Sequence, residues 1–136
     1  MGRVFFNTRK NVVGISAAKT LLPSDSGNVF LINQASAYDI ALPAAADAQE
    51  GWNCKFIIGT AAANAVTISA TTGDGNNIIA LGLDMEDGAV GNQSTGCDVI
   101  TFISGAEKGD QVELFTDGTT YYAVSVVADK AHITYS

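Results

Sequence analysis

The feature that most restricts this chain is a two-residue alternation of apolar and polar side chains in short runs, closed again and again by Gly, Pro, Asn or Asp. A period of two places successive side chains on opposite faces of a strand, whereas a helix needs a period near 3.6. The last third is the clearest: residues 98–104, 111–116 and 120–127 are rich in β-branched and aromatic residues. Asp117-Gly118 between the last two is a strong hairpin signal, because such turns demand positive φ. Counting similar runs along the chain gives about eight or nine short strands, one every ten residues or so. That pattern predicts an all-β protein whose body, residues 23–136, is a single β-sandwich or jelly-roll-like domain, preceded by an extended N-terminal arm over residues 1–22.

The turn residues set further expectations. Residues 28–33 and 38–42 alternate on both sides of Gln34-Ala35-Ser36-Ala37 and are expected to pair as a hairpin, with Pro43 ending the second strand because it has no N–H to give a ladder. Residues 44–48 are alanine-rich enough for one helical turn, which Gln49-Glu50-Gly51 should end. Residues 52–58 and 65–70 form the next expected pair, Gly73-Asp74-Gly75 a turn, and residues 84–96 the longest surface loop. Residues 133–135 are expected to close the sheet.

Composition separates arm from body. Only 15% of residues are charged, yet Arg3, Arg9, Lys10 and Lys19 all precede the first acid, Asp25. Residues 1–24 carry +4; residues 25–136 hold three basic and 14 acidic residues, −11, so the whole chain is −7. Such a body repels nucleic-acid phosphates, and no direct nucleic-acid role is expected of it. The arm mixes its cations with Val4, Phe5, Phe6, Val12, Val13 and Ile15, apolar groups with little reason to stay in water. Pro23, followed by Ser24-Asp25-Ser26-Gly27, marks a turn between arm and body. Arg3, Phe5, Phe6, Arg9, Lys10 and Lys19 are therefore the candidate partner-binding residues. Arg9 and Lys10 follow Phe5-Phe6 too closely for a secretory apolar segment, and Phe6 stands where a myristoylation signal wants Ser or Thr. No apolar run approaches the length of a membrane span, and the expectation is a chain made in the cytoplasm with no membrane partner.

Chemistry finds little to work with. The only histidine, His132, has no nucleophile elbow to serve and reads as structural or surface. Asp84, Glu86 and Asp87, with Asp98 beyond them, miss the EF-hand spacing because Gly88 stands at a ligand position, and read as a solvated loop. Gly73-Asp74-Gly75 lacks the spacing of a phosphate cradle, and Asn92-Gln93-Ser94 is a sequon without a secretory signal. Cys54 and Cys97 read as buried free thiols, a disulfide requiring an oxidising compartment. Trp52, Tyr121 and Tyr122 are the candidates for a carbohydrate platform, although Tyr121 and Tyr122 must face opposite ways and core packing is the stronger reading for most aromatics. No catalytic residue, metal or cofactor is expected, and the chain reads as a non-enzyme.

The segments Thr20-Leu21-Leu22, Asp25-Ser26-Gly27, Phe30-Leu31-Ile32-Asn33 and Tyr38-Asp39-Ile40-Ala41-Leu42-Pro43-Ala44, with the later Gly109-Asp110-Gln111-Val112-Glu113-Leu114, Asp117-Gly118-Thr119 and Tyr122, resemble small virion structural proteins of tailed bacteriophages. The resemblance spans residues 20–127 and is chiefly to head decoration, or capsid cement, proteins, with related modules in head and tail fibres; tail-fibre modules often carry Trp where this chain has Tyr122. It implies a virion protein on the capsid surface, a homotrimer seated on the major capsid protein at local threefold positions. The alternative within the same resemblance is a receptor- or glycan-binding module of a phage tail or head fibre.

Overall fold

In the computed structural model the described residues are 9–70, 77–86 and 90–136. Their strands are β1 (Val12–Ile15), β2 (Lys19–Thr20), β3 (Val29–Asn33), β4 (Tyr38–Leu42), β5 (Asn53–Thr60), β6 (Val66–Ala70), β7 (Ile78–Asp84), β8 (Val90–Cys97), β9 (Val99–Phe102), β10 (Gln111–Thr116), β11 (Tyr121–Val127) and β12 (Ile133–Tyr135). They form a seven-stranded sheet in the order β1-β3-β5-β10-β11-β7-β8 and a five-stranded sheet in the order β12-β9-β6-β4-β2. The two sheets share one apolar core, so the expected all-β sandwich is the architecture found.

Its winding differs from a jelly roll. From β1 to β6 the chain alternates between sheets, and each strand lies parallel to the one laid down a full circuit earlier: β3 on β1, β5 on β3, β4 on β2 and β6 on β4. A jelly roll is built from antiparallel Greek keys, and these parallel coils are not. The expected hairpins 28–33/38–42 and 52–58/65–70 therefore do not form, since the members of each pair lie in opposite sheets. Turn chemistry explains the first case. A tight hairpin needs residues that accept positive φ, and Gln34-Ala35-Ser36-Ala37 has none, so the loop instead spans the roughly 10 Å between sheets. Gln34 pins that crossing from a fully buried position: its Nε2 donates to the Ile103 carbonyl (3.0 Å), and its Oε1 accepts from the Ala62 N–H (3.3 Å). Asp117-Gly118, by contrast, does join β10 to β11, with Gly118 at φ +90° and the Asp117 carboxylate accepting from the N–H groups of Thr119 and Thr120, both at 2.8 Å.

The short helix expected after Pro43 is α1 (Ala45–Ala48), ended by Gln49 at φ 67° and Gly51 at φ 89°. The expected long loop over residues 84–96 is corrected: β8 occupies most of it, paired antiparallel to β7. Gly91, a loop signal when read in sequence, serves close approach instead. A Cβ on Gly91 would collide with the Gly82 carbonyl, and one on Gly82 would meet the Asn92 carbonyl at 2.8 Å and the Ser125 and Tyr135 hydroxyls at 3.0 Å. Here the β7–β8 ladder shifts register twice, the irregularity that close backbone contact at glycine allows. The Gly73-Asp74-Gly75 turn lies outside the described residues.

Phe30 and Phe56 stack at the centre of the core with ring centroids 5.3 Å apart, and Trp52 meets Tyr121 edge-on at 5.9 Å. The Tyr121 hydroxyl donates to the Pro43 carbonyl at 2.8 Å, tying the seven-stranded sheet to the end of β4 in the other. β12 pairs antiparallel with β9 as the closing edge strand.

Candidate interaction surface

Alternation gives each sheet one outward face, and the two faces differ in chemistry. On the seven-stranded sheet, strand register sets Tyr122 beside Ile79 and Phe115, Val124 beside Leu81 and Glu113, and Val126 beside Leu83 and Gln111. The inward neighbours, such as Ala80, Ala123, Val112 and Leu114, are buried. The outward ones are not: Leu81 is 56% exposed, Leu83 55%, Phe115 51% and Val124 49%, with Met85 just past β7 at 66%. Phe115 and Tyr122 stack their rings at 5.2 Å and an interplanar angle of 19°. On β5, β10, β11 and β7 the charged residues of this face are Lys55 and Glu113, which are register partners and cancel.

The five-stranded sheet shows the opposite. Thr134, Thr101, Thr67 and Asp39 form one row across β12, β9, β6 and β4. The Asp39 carboxylate accepts hydrogen bonds from Thr67 Oγ1 at 2.7 Å and Ser69 Oγ at 2.8 Å. Short polar side chains that satisfy one another in this way suit a face turned to water.

The candidate arm residues divide three ways. Arg3, Phe5 and Phe6 lie outside the described residues. Arg9 and Lys10 are exposed and lead into β1, the edge of the seven-stranded sheet farthest from β7 and β8. Lys19 is half-buried in β2, at the edge of the other sheet, with its Nζ 5.5 Å from the centroid of the buried Phe30 ring. Ile15, expected to be exposed on the arm, is buried, and Val13 packs against the core, because β1 and β2 are edge strands of the chain's own sandwich. Leu21 is buried as well, and the Tyr38 hydroxyl lies 2.8 Å from the Ile15 carbonyl. Of the three expected apolar residues after Lys10, only Val12 stays largely exposed, on the outward face of β1.

The remaining candidates have structural roles. Asp110 is buried, accepts from the N–H groups of Glu107 (2.7 Å) and Ala128 (2.8 Å), and lies 2.8 Å from Nδ1 of His132. It thereby joins the turn before β10, the chain after β11 and the approach to β12. An open cavity of about 360 Å³ beside it is lined by Met85, Glu86, Glu107, Ala128, Asp129 and His132. Among the described residues no three His, Cys, Asp or Glu side chains group so as to hold a metal ion. Asp84 accepts from the Glu86 N–H at 2.9 Å, while Asp98 accepts from the Asn77 backbone N–H and Nδ2, so these acids serve separate local turns; Asp87 lies outside the described residues. Cys54 and Cys97 are free and buried, and burial pushes both thiols up, Cys54 well above the ordinary range. Trp52 and Tyr121 are core residues, which leaves the half-buried Tyr122, stacked on the exposed Phe115.

Sequence reasoning missed Ile79, Leu81, Leu83 and Val124 as surface residues. Residues 78–83 are apolar or Gly at every position, so the sequence does not mark which parity faces outward. No family model, curated protein or solved structure matches this chain.

Proposed function

We propose that this chain is a virion structural protein, a decoration or cement protein that binds the outside of a bacteriophage major capsid lattice as an oligomer and stabilises it. The observation that carries the reading is the division of labour in one small β-sandwich: exposed cations Arg9 and Lys10 enter at one edge of an otherwise acidic body. A rigid body with a basic leading segment suits the clamping of acidic protein surface, where opposite charge speeds encounter and sets register. Oligomerisation multiplies such contacts, since each later basic segment binds intramolecularly and avidity rises by about 10² to 10⁴. The reading gives the protein no cofactor and no catalytic role.

The test is co-sedimentation with expanded capsid shells stripped of the protein. Saturable binding that weakens with salt, and weakens further when Arg3, Arg9 and Lys10 are changed together to Glu, is the expected result. Shells that bind nothing across the concentration range overturn the reading. Charge reversal is the right probe here, because deleting residues 1–20 removes β1, β2 and the buried Ile15 along with the cations.

One observation favours the second reading, a receptor- or glycan-binding module of a tail or head fibre: the exposed Phe115 ring, stacked on the half-buried Tyr122, presents an aromatic surface of the kind on which sugar rings sit. It predicts glycan binding that disappears in Phe115→Ala and Tyr122→Ala, and no affinity for empty shells.

A further inference from the structure

We infer that the outward face of the seven-stranded sheet is where copies of this chain meet one another, burying Ile79, Leu81, Leu83, Phe115 and Val124. The inference rests on the oligomeric part of the function proposed above and supplies the surface that the oligomer uses.

Size is the first argument. Four strands wide and three outward side chains deep, the patch spans about 20 Å in each direction. Its five large apolar side chains, with Met85 at the margin, are between about one-third and two-thirds exposed. Together they offer on the order of 500 Å² of apolar surface, as much as the largest patch on an ordinary monomer. With Tyr122, Val126, Ile57 and Gln111 between and around them, the face approaches the ~800 Å² per partner of a standard stable interface.

Charge is the second argument, and it selects the occupant. A chain of net charge −7 repels its own copies over most of its surface. This face is neutral, because Lys55 and Glu113 oppose each other in register and the other outward positions on β5, β10, β11 and β7 are uncharged. A foreign partner selected by charge finds nothing to read here, whereas a second copy finds a broad apolar region where approach carries no electrostatic penalty. The five-stranded sheet, with its Thr and Asp row, has no apolar surface of comparable extent to bury.

Sedimentation equilibrium of the full chain over roughly micromolar to hundred-micromolar concentrations tests this. The expected result is a closed oligomer of the 14.0 kDa chain, with Leu81→Glu/Val124→Glu raising the dissociation constant by on the order of 10² to 10³-fold. Thr101→Glu, on the other sheet, should leave association unchanged. The milder pair Leu81→Ser/Val124→Thr, which keeps strand-compatible side chains, should weaken association in the same direction, and far-ultraviolet circular dichroism checks that each variant is folded. A wild-type chain that runs as a 14.0 kDa monomer throughout, or folded variants of either pair that keep the oligomer's mass, overturns the inference. A monomer that still binds capsid shells sinks this interface while leaving the proposed function standing; an oligomer that binds no shells does the reverse.

Discussion

The outward faces of the two sheets obey the same period-two rule over the same core, yet one is lined by Ile79, Leu81, Leu83, Phe115 and Val124 and the other by Thr67, Thr101, Thr134 and Asp39. Alternation fixes which side chains share a face; it does not fix what that face touches. A sandwich needs only its inner faces apolar. Apolar residues on an outer face are therefore not needed to close the core, and here they cluster on one sheet and not the other.

Substitutions on and beneath the two faces are expected to differ in effect. The largest comes from the core beneath both faces: Phe56→Ala, which removes the ring stacked on Phe30, should cost about 3–5 kcal/mol. Urea unfolding followed by both near- and far-ultraviolet signals should show one coincident transition; two separated transitions mean that the sheets are independent layers, and the comparison of faces loses its common base. Next is the polar face. Asp39→Ala leaves the Thr67 and Ser69 hydroxyls without their acceptor and should cost about 1–2 kcal/mol in the same unfolding assay, with no change in association. If association weakens instead, the polar face is an interface too.

Two smaller effects sharpen the picture. Neither Cys54 nor Cys97 should react with a thiol reagent in the folded protein, since both are buried and their thiols are held protonated; rapid native reaction at Cys97 shows that the edge near β8 opens. The smallest effect is at the hairpin turn bordering the apolar face. Hydrogen bonds from the Thr120 and Thr119 N–H groups hold the Asp117 carboxyl below its ordinary range. A depressed folded pKa contributes stability that is present above the unfolded value of about 3.9 and disappears as pH falls through the folded one. The Thr119 and Thr120 amide resonances should therefore titrate below the range of a free aspartate; a midpoint at or above that range removes the turn from the account.

Much of the fold was legible in the sequence, and the reason is local. Asp117-Gly118 carries its own turn chemistry, Pro43 its own strand stop, and residues 111–116 and 120–127 their own wealth of β-branched and aromatic residues. What was not legible depends on partners distant in the chain. The parallel coiling of β1 to β6 involves contacts remote in sequence, such as Gln34 reaching Ile103 across 69 positions, and in the first crossing a loop, residues 34–37, without hairpin residues. β8 was hidden because Gly91, which signals a loop when read alone, is required by the closeness of Gly82 in the neighbouring strand. The candidate site divided along the same line. The charge of Arg9 and Lys10 is a property of sequence, but the burial of Ile15 and the exposure of Leu81 and Val124 follow from which sheet each strand joins and from which side.

The most direct measurement is carbene footprinting of the native protein at a concentration where it associates, read residue by residue against a diluted or Leu81→Glu/Val124→Glu sample. The account predicts that Ile79, Leu81, Leu83, Phe115 and Val124 are labelled far less than their exposure in the single chain allows, and that Thr67, Thr101 and Thr134 are labelled equally in both samples. Full labelling of Leu81 and Val124 in the concentrated wild-type protein contradicts it.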